Sequence, residues 1–233
     1  RPHYEASGTC VSCHRGDDRS DRLSIAHHDL IAAKFVWFTI PGAVPVERGK
    51  KLLVNFACRR CHTSAGKGNR LASNLDRMPE AMTPQHISDS IKSPALDMPN
   101  FSFDDRQLTD LVNAILAGAR LAEPKGVETP QVVHFQDENR NTDNIFEKQC
   151  GSCHKILTKA FGGLGKGNIG PNLSGLLSEF YPVTLSDSRR WTADNLNKWL
   201  ENPRKIRKYS QMRPIRLKKD EVERLLAIFA ETP

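Results

Sequence analysis

The sequence predicts a mainly α-helical chain made of two similar helical domains behind a short N-terminal segment, and three observations carry that prediction. Apolar residues recur at helical spacing in two separate stretches. The two stretches share one register. Counting from Met98, apolar residues fall ten, thirteen, fourteen and seventeen positions on, at Leu108, Leu111, Val112 and Ile115, and the same steps from Met212 reach Val222, Leu225, Leu226 and Phe229. Finally, one pentapeptide pattern, two cysteines separated by two residues and followed at once by histidine, occurs three times: Cys10-Val-Ser-Cys13-His14, Cys58-Arg-Arg-Cys61-His62 and Cys150-Gly-Ser-Cys153-His154.

Those three copies use all six cysteines. A zinc site wants two such pairs, or further histidines, brought together, and gives no reason for a histidine directly after each pair. A thioredoxin-type disulfide wants a βαβ setting that the sequence lacks. The remaining reading is the c-type haem attachment signature, in which two thiols form thioethers to the haem vinyl groups and the adjacent histidine meets one face of the iron. The chain is therefore expected to hold three covalently attached c-type haems, bound by Cys10, Cys13 and His14, by Cys58, Cys61 and His62, and by Cys150, Cys153 and His154.

Composition agrees with that expectation. The chain has 233 residues of which 38% are hydrophobic, and its mean hydropathy is −0.51. That is a modest supply for several small cores, and prosthetic groups would make up the shortfall. The formal charge of +7 falls to roughly +4 once three ferric haems with ionised propionates are added. The basic residues are not interleaved with a nucleic-acid recognition module, so no nucleic-acid partner is expected. Such haems are attached outside the cytoplasm, so a periplasmic or otherwise extracytoplasmic protein is expected. A chain opening on Arg1 with no visible signal peptide reads as processed or truncated. Its most apolar stretch, from Leu30 to Val46, is interrupted by Lys34, Pro41 and Pro45 and is too short for a comfortable span; it reads as a packed connector, with no transmembrane segment in this chain.

In chain order, residues 1–44 form an N-terminal haem-binding segment, with a short helix predicted from Leu23 to Ile31. Pro41-Gly-Ala-Val-Pro45 marks a boundary. Residues 45–122 form the first domain, with a helix from Glu47 to Phe56 leading into Cys58 and another from about Phe103 to Ala117. Ser102 and Asp105 suggest a capping box there, and Gly118 a stop. Residues 123–138, with Glu123-Pro-Lys-Gly-Val-Glu-Thr-Pro130, read as a linker. Residues 139–233 form the second domain, with Ile145 and Phe146 on the helix entering Cys150, a helix over Trp191–Leu200 and a last helix from Lys219 to Glu231.

From Val46 onward both regions resemble class I cytochrome c domains, and the resemblance implies a methionine from the loop before the last helix as the second iron ligand. Asp97-Met98-Pro99-Asn100-Phe101 and Gln211-Met212-Arg213-Pro214 match that loop, which assigns Met98 to the His62 haem and Met212 to the His154 haem. Met78 and Met82 are rivals for the former without that context. Within Gly170-Pro171-Asn172-Leu173, Pro171 matches the family's proline whose carbonyl accepts the N–H of the attached histidine. The first domain departs from this pattern, with Leu71-Ala-Ser-Asn-Leu75 in its place. No methionine lies in the N-terminal segment, so the His14 haem takes another ligand; His27 resembles the distal histidines of multihaem cytochromes, with His28, His3, His86 and His134 as alternatives.

Methionine opposite histidine raises a haem potential relative to two nitrogen ligands, so a bis-histidine first haem would sit lowest. Six-coordinate irons suit outer-sphere transfer of single electrons between redox proteins rather than substrate chemistry. The expected function is electron transport, without an enzyme activity. Alternatives are a c-type subunit of a membrane respiratory complex, or a haem enzyme such as a peroxidase or a sulfur-compound oxidoreductase. Arg204, Lys205, Arg207, Lys208, Arg213, Arg216, Lys218 and Lys219 surround the Met212 loop with no acidic residue among them. They read either as a solvated face or as a rim that steers an acidic or membrane-bound redox partner.

Overall fold

Helix α1 (Val44–Asn55) begins where Pro45, at the first turn, has a fixed φ and no N–H to satisfy, and it packs on α3 (Asp105–Leu121) through a residue with no side chain. A Cβ at Gly49 would lie 1.9 Å from the Asp110 carbonyl oxygen, so the crossing is as close as backbones allow. Beside it Arg48 grips the buried Asp110 carboxylate with two hydrogen bonds of 2.6 and 2.7 Å. One turn on, fully buried Asn113 accepts from Phe38 N–H at 3.0 Å and donates to the Lys34 carbonyl at 2.9 Å. The connector of residues 31–43 is thereby fastened to α3, with Ile31 and Phe35 buried, as the packed-connector reading expects.

A computed structural model of the chain describes residues 21–22, 31–78, 82–95, 97–122, 144–185 and 189–230. The helix expected from Leu23 to Ile31 and the linker 123–138 lie outside these or nearly so. Two compact units emerge: Arg1–Phe56, Ser64–Gly66 and Leu75–Glu123 in one, Ala57–Thr63, Lys67–Asn74 and Pro124–Pro233 in the other.

In the first unit, α2 (Pro84–Lys92) is capped by the Thr83 side chain and packs on α3 through Ile87 and Ile91. Leu108, Leu111, Val112 and Ile115 are all buried, as their spacing predicts. Two expectations for α3 need correction. Its capping box is Asp104 with Gln107, because Ser102 stands in the left-handed region at φ 53° and its N–H donates to the Asn100 side chain instead. Gly118 does not stop the helix, which runs on to Leu121; Gly118 meets Ala65 at a distance that a Cβ would reduce to 3.4 Å. Phe56 meets Phe101 and Phe103 edge-to-face, while those two rings are tilted at 30° to each other, with all centroids 4.6–5.5 Å apart.

The second unit centres on Phe146 of α4 (Ile145–Gln149), whose ring meets Phe229 of α7 (Lys219–Ala230) edge-on at 6.1 Å. Around them lie Ile156, Leu164, Leu176, Leu196, Leu200, Leu225 and Ile228. Ile156–Thr158 (β1) and Gly162–Leu164 (β2) form an antiparallel hairpin, with Ile156 opposite Leu164. Helix α5 (Ala193–Glu201) has a capping box of Thr192 and Asn195, and the single turn α6 (Pro203–Ile206) follows it. The chain is thus largely helical, and among the described residues no helix is long and apolar enough to cross a membrane.

Candidate haem-binding sites

The third cysteine–histidine motif is delivered by a short, well-anchored helix. Asn144 caps α4 by accepting from Phe146 N–H at 2.8 Å, and burial of Ile145 and Phe146 fixes its axis. At its end the Cys153 and His154 amides both bond the Cys150 carbonyl, at 3.1 and 2.9 Å, which winds two thiols and the imidazole into one turn. His154 Nδ1 lies 2.8 Å from the Pro171 carbonyl oxygen. A carbonyl can only accept, so the proton sits on Nδ1 and Nε2 keeps its lone pair for a metal. Residue 170 presses on the same ring: a Cβ there would lie 2.2 Å from His154 Cε1, so only glycine fits. Gly165, at φ +80°, passes equally close to the His154 carbonyl.

Met212 reaches this unit from the loop before α7, half-buried against the core. Its sulfur accepts the Trp199 indole N–H at 2.9 Å. Trp199 is held edge-on against Trp191 at 5.6 Å and lies beneath the Arg207 guanidinium at 5.7 Å. Around this loop Arg204, Lys205, Arg207, Lys208, Arg213, Arg216, Lys218 and Lys219 are all exposed.

The second motif repeats the third with different parts. Ala57, in the left-handed region at φ 52°, breaks the path out of α1 and starts the turn Cys58–Arg60. The His62 amide bonds the Cys58 carbonyl at 3.0 Å, and His62 Nδ1 lies 2.8 Å from the carbonyl oxygen of Ser73. Ser73 therefore plays towards His62 the part that Pro171 plays towards His154. Sequence reasoning registered the missing proline but not this substitute; the shared Asn-Leu that follows, Asn74-Leu75 and Asn172-Leu173, is the signal that aligns them. Gly68, at φ +127°, passes the His62 carbonyl as Gly165 passes that of His154.

Burial sets the electrostatics of groups in both motifs. Burial pushes the Cys58 and Cys150 thiols up to about 11, and burial lowers His62 while its bond to Ser73 opposes the shift. A lowered His62 favours the neutral imidazole, the form that iron ligation requires. The four described cysteines form no disulfide among themselves. The donor set of each motif thus fits a covalently held haem.

The structure brings Cys150, Cys153, His154 and Pro171 together and places Met212 in the same unit; Cys58, Cys61 and His62 likewise share one loop. Met98 lies in the other unit, its amide 3.4 Å from the Ala95 carbonyl. His86 is exposed on α2, with its backbone spent on the Thr83 cap, and Met82 is exposed. Cys10, Cys13, His14, His27, His28, His3 and His134 lie outside the described residues.

Residues 44–113 match the family model of cytochrome c oxidase, cbb3-type, subunit III. The chain is also 34% identical over 98 residues to a protein named cytochrome c from Stellaria longipes, an alignment that covers 85% of that protein and 38% of this chain. No solved structure matches. With the attachment turns, the oriented histidines and this coverage together, the chain belongs to the cytochrome c family of electron carriers.

Proposed function

We propose that this protein is a trihaem cytochrome c that carries single electrons between redox partners outside the cytoplasm, without enzyme activity of its own. The observation that carries the reading is the duplicated arrangement of His154 on Pro171 and His62 on Ser73, each directly after a Cys-x-x-Cys turn. The third haem rests on the same pentapeptide at Cys10, Cys13 and His14. When bound, each haem supplies a one-electron iron couple. The protein's residues do the rest: thioethers from the cysteines hold the ring, and an Nδ1–H bond to a backbone carbonyl fixes each imidazole and raises its basicity. Met212 and Met98 are the proposed second ligands of the His154 and His62 irons, and His27 that of the His14 iron. The exposed cations around Met212 support a docking rim for an acidic or membrane-bound partner.

Low-temperature EPR with near-infrared magnetic circular dichroism on the oxidised protein tests this reading, alongside the intact mass. Three haems by mass, two His/Met centres and one bis-His centre are expected. A five-coordinate high-spin centre would move the assignment to a haem enzyme. The match of residues 44–113 to a cbb3-type oxidase subunit favours a second reading, a c-type subunit of a membrane respiratory complex. Stable co-purification with membrane proteins would select it over a soluble carrier.

A further inference from the structure

Within the second unit, the loop carrying the Cys58–His62 motif is bonded to the peptide that orients the histidine of the Cys150–His154 motif. Arg60, between the two cysteines of its own motif, donates from Nη1 to the Asn172 carbonyl at 3.1 Å. The Tyr181 hydroxyl donates to the same oxygen at 3.2 Å. Asn172 follows Pro171 directly, and the Pro171 carbonyl accepts the His154 Nδ1–H. Two donors on one carbonyl, one of them cationic, restrain the rotation of the chain on either side of it. The lower side of the same segment is also fixed, because Leu173 N–H bonds the Lys155 carbonyl at 2.8 Å and Ser174 N–H bonds the Asn172 side chain at 2.9 Å.

Arg60 is itself held. Asn69, 1% exposed, spends both protons of its amide nitrogen on this contact, one on the Arg60 carbonyl at 2.8 Å and one on Ser178 Oγ at 2.9 Å. The Arg60 guanidinium lies over the Tyr181 ring at 5.8 Å. Gly175, at φ +68°, presses in so closely that a Cβ would stand 2.7 Å from the Arg60 carbonyl oxygen and 2.8 Å from Asn69 Nδ2. A buried amide with both donors used, a cation on a carbonyl and a left-handed glycine at the contact are more than an incidental touch between loops.

We propose that Arg60 is a positioning residue for His154: a side chain of one attachment motif sets the axial hydrogen bond of another. This rests on the reading of Cys150–His154 as a haem site. Because His62 is oriented by Ser73 and not by Asn172, the same molecule carries an internal reference.

The test is the solvent exchange rate of the two Nδ1 protons, followed by NMR in the reduced, haem-loaded protein labelled with nitrogen-15 histidine. In Arg60→Met the His154 proton should exchange at least tenfold faster, with the His62 proton changed less than twofold and Arg60→Lys restoring most of the protection. Tyr181→Phe, which removes the other donor to Asn172 and leaves the motif untouched, should give a smaller acceleration at His154 alone, and serves if Arg60→Met does not fold. Unchanged His154 exchange in these variants, with haem present by mass on the peptide containing Cys150 and Cys153, overturns the inference and leaves the proposed function standing. Absence of haem from that peptide overturns both.

Discussion

Trp199 donates its indole N–H to the thioether sulfur of Met212 at 2.9 Å. A donor on that sulfur draws electron density from the lone pairs it would offer to iron, and so weakens its support of the ferric state. If Met212 is the ligand, removing the donor should lower the potential. Trp199→Phe keeps an aromatic ring against Trp191 and loses the N–H. A fall of about 30 mV is expected, equivalent to about 0.7 kcal/mol for one electron and typical of one hydrogen bond. Potentiometric titration checks this, and no shift at any haem would separate Met212 from the iron.

Gly170 leaves no room between its backbone and the His154 ring. Gly170→Ala must turn or displace the imidazole, since the contact is ring carbon and nitrogen rather than the end of a flexible chain. Weakened Nδ1 bonding to Pro171 should lower the basicity of Nε2 and raise the potential of that haem. The expected record is a changed haem-methyl hyperfine pattern in oxidised NMR spectra for one haem, with the others unmoved.

Tyr181 predicts an alkaline weakness. Burial raises its phenol above the ordinary value near 10, with Arg60 opposing. The neutral phenol is therefore the form favoured by the fold; its contribution is complete below about pH 10 and is lost as pH rises through the raised folded value. Chemical denaturation of the haem-loaded protein between pH 9 and pH 12 should show a loss of stability that Tyr181→Phe reduces.

The basic rim makes a salt-dependent prediction. Replacing Arg213, Arg216, Lys218 and Lys219 by glutamine should slow electron exchange with an acidic redox protein about tenfold at low ionic strength and flatten its salt slope. Stopped-flow measurement at several salt concentrations checks it; an unchanged slope removes the rim from docking.

Much of this was legible because helices advertise themselves by period. Leu108, Leu111, Val112 and Ile115 are buried as their spacing implies, and Leu225, Leu226 and Phe229 of α7 pack in the core of their unit, with Val222 half-buried. The Pro171 carbonyl lies 2.8 Å from His154 Nδ1. Features set by backbone conformation were less visible. Ser102 looks like a cap until its positive φ hands that role to Asp104. The strands of the hairpin have three residues each, and the second contains two glycines, so no alternation could announce them. Ser73 escaped because its carbonyl, not its side chain, does the work that a proline's carbonyl does elsewhere.

That carbonyl also measures how much chain a histidine-orienting loop can gain. His62 meets its acceptor 11 residues on and His154 meets its own 17 residues on, at the same 2.8 Å. Closing the longer loop costs only about 0.4 kcal/mol more in chain entropy, and part of the extra length is the hairpin, whose Phe161 turn faces solvent. Insertion here is nearly free for the histidine's hydrogen bond. The turn at Phe161 is consequently the place to attach a surface tether or a spectroscopic label, wiring the carrier to an electrode without retuning the centre it would report on.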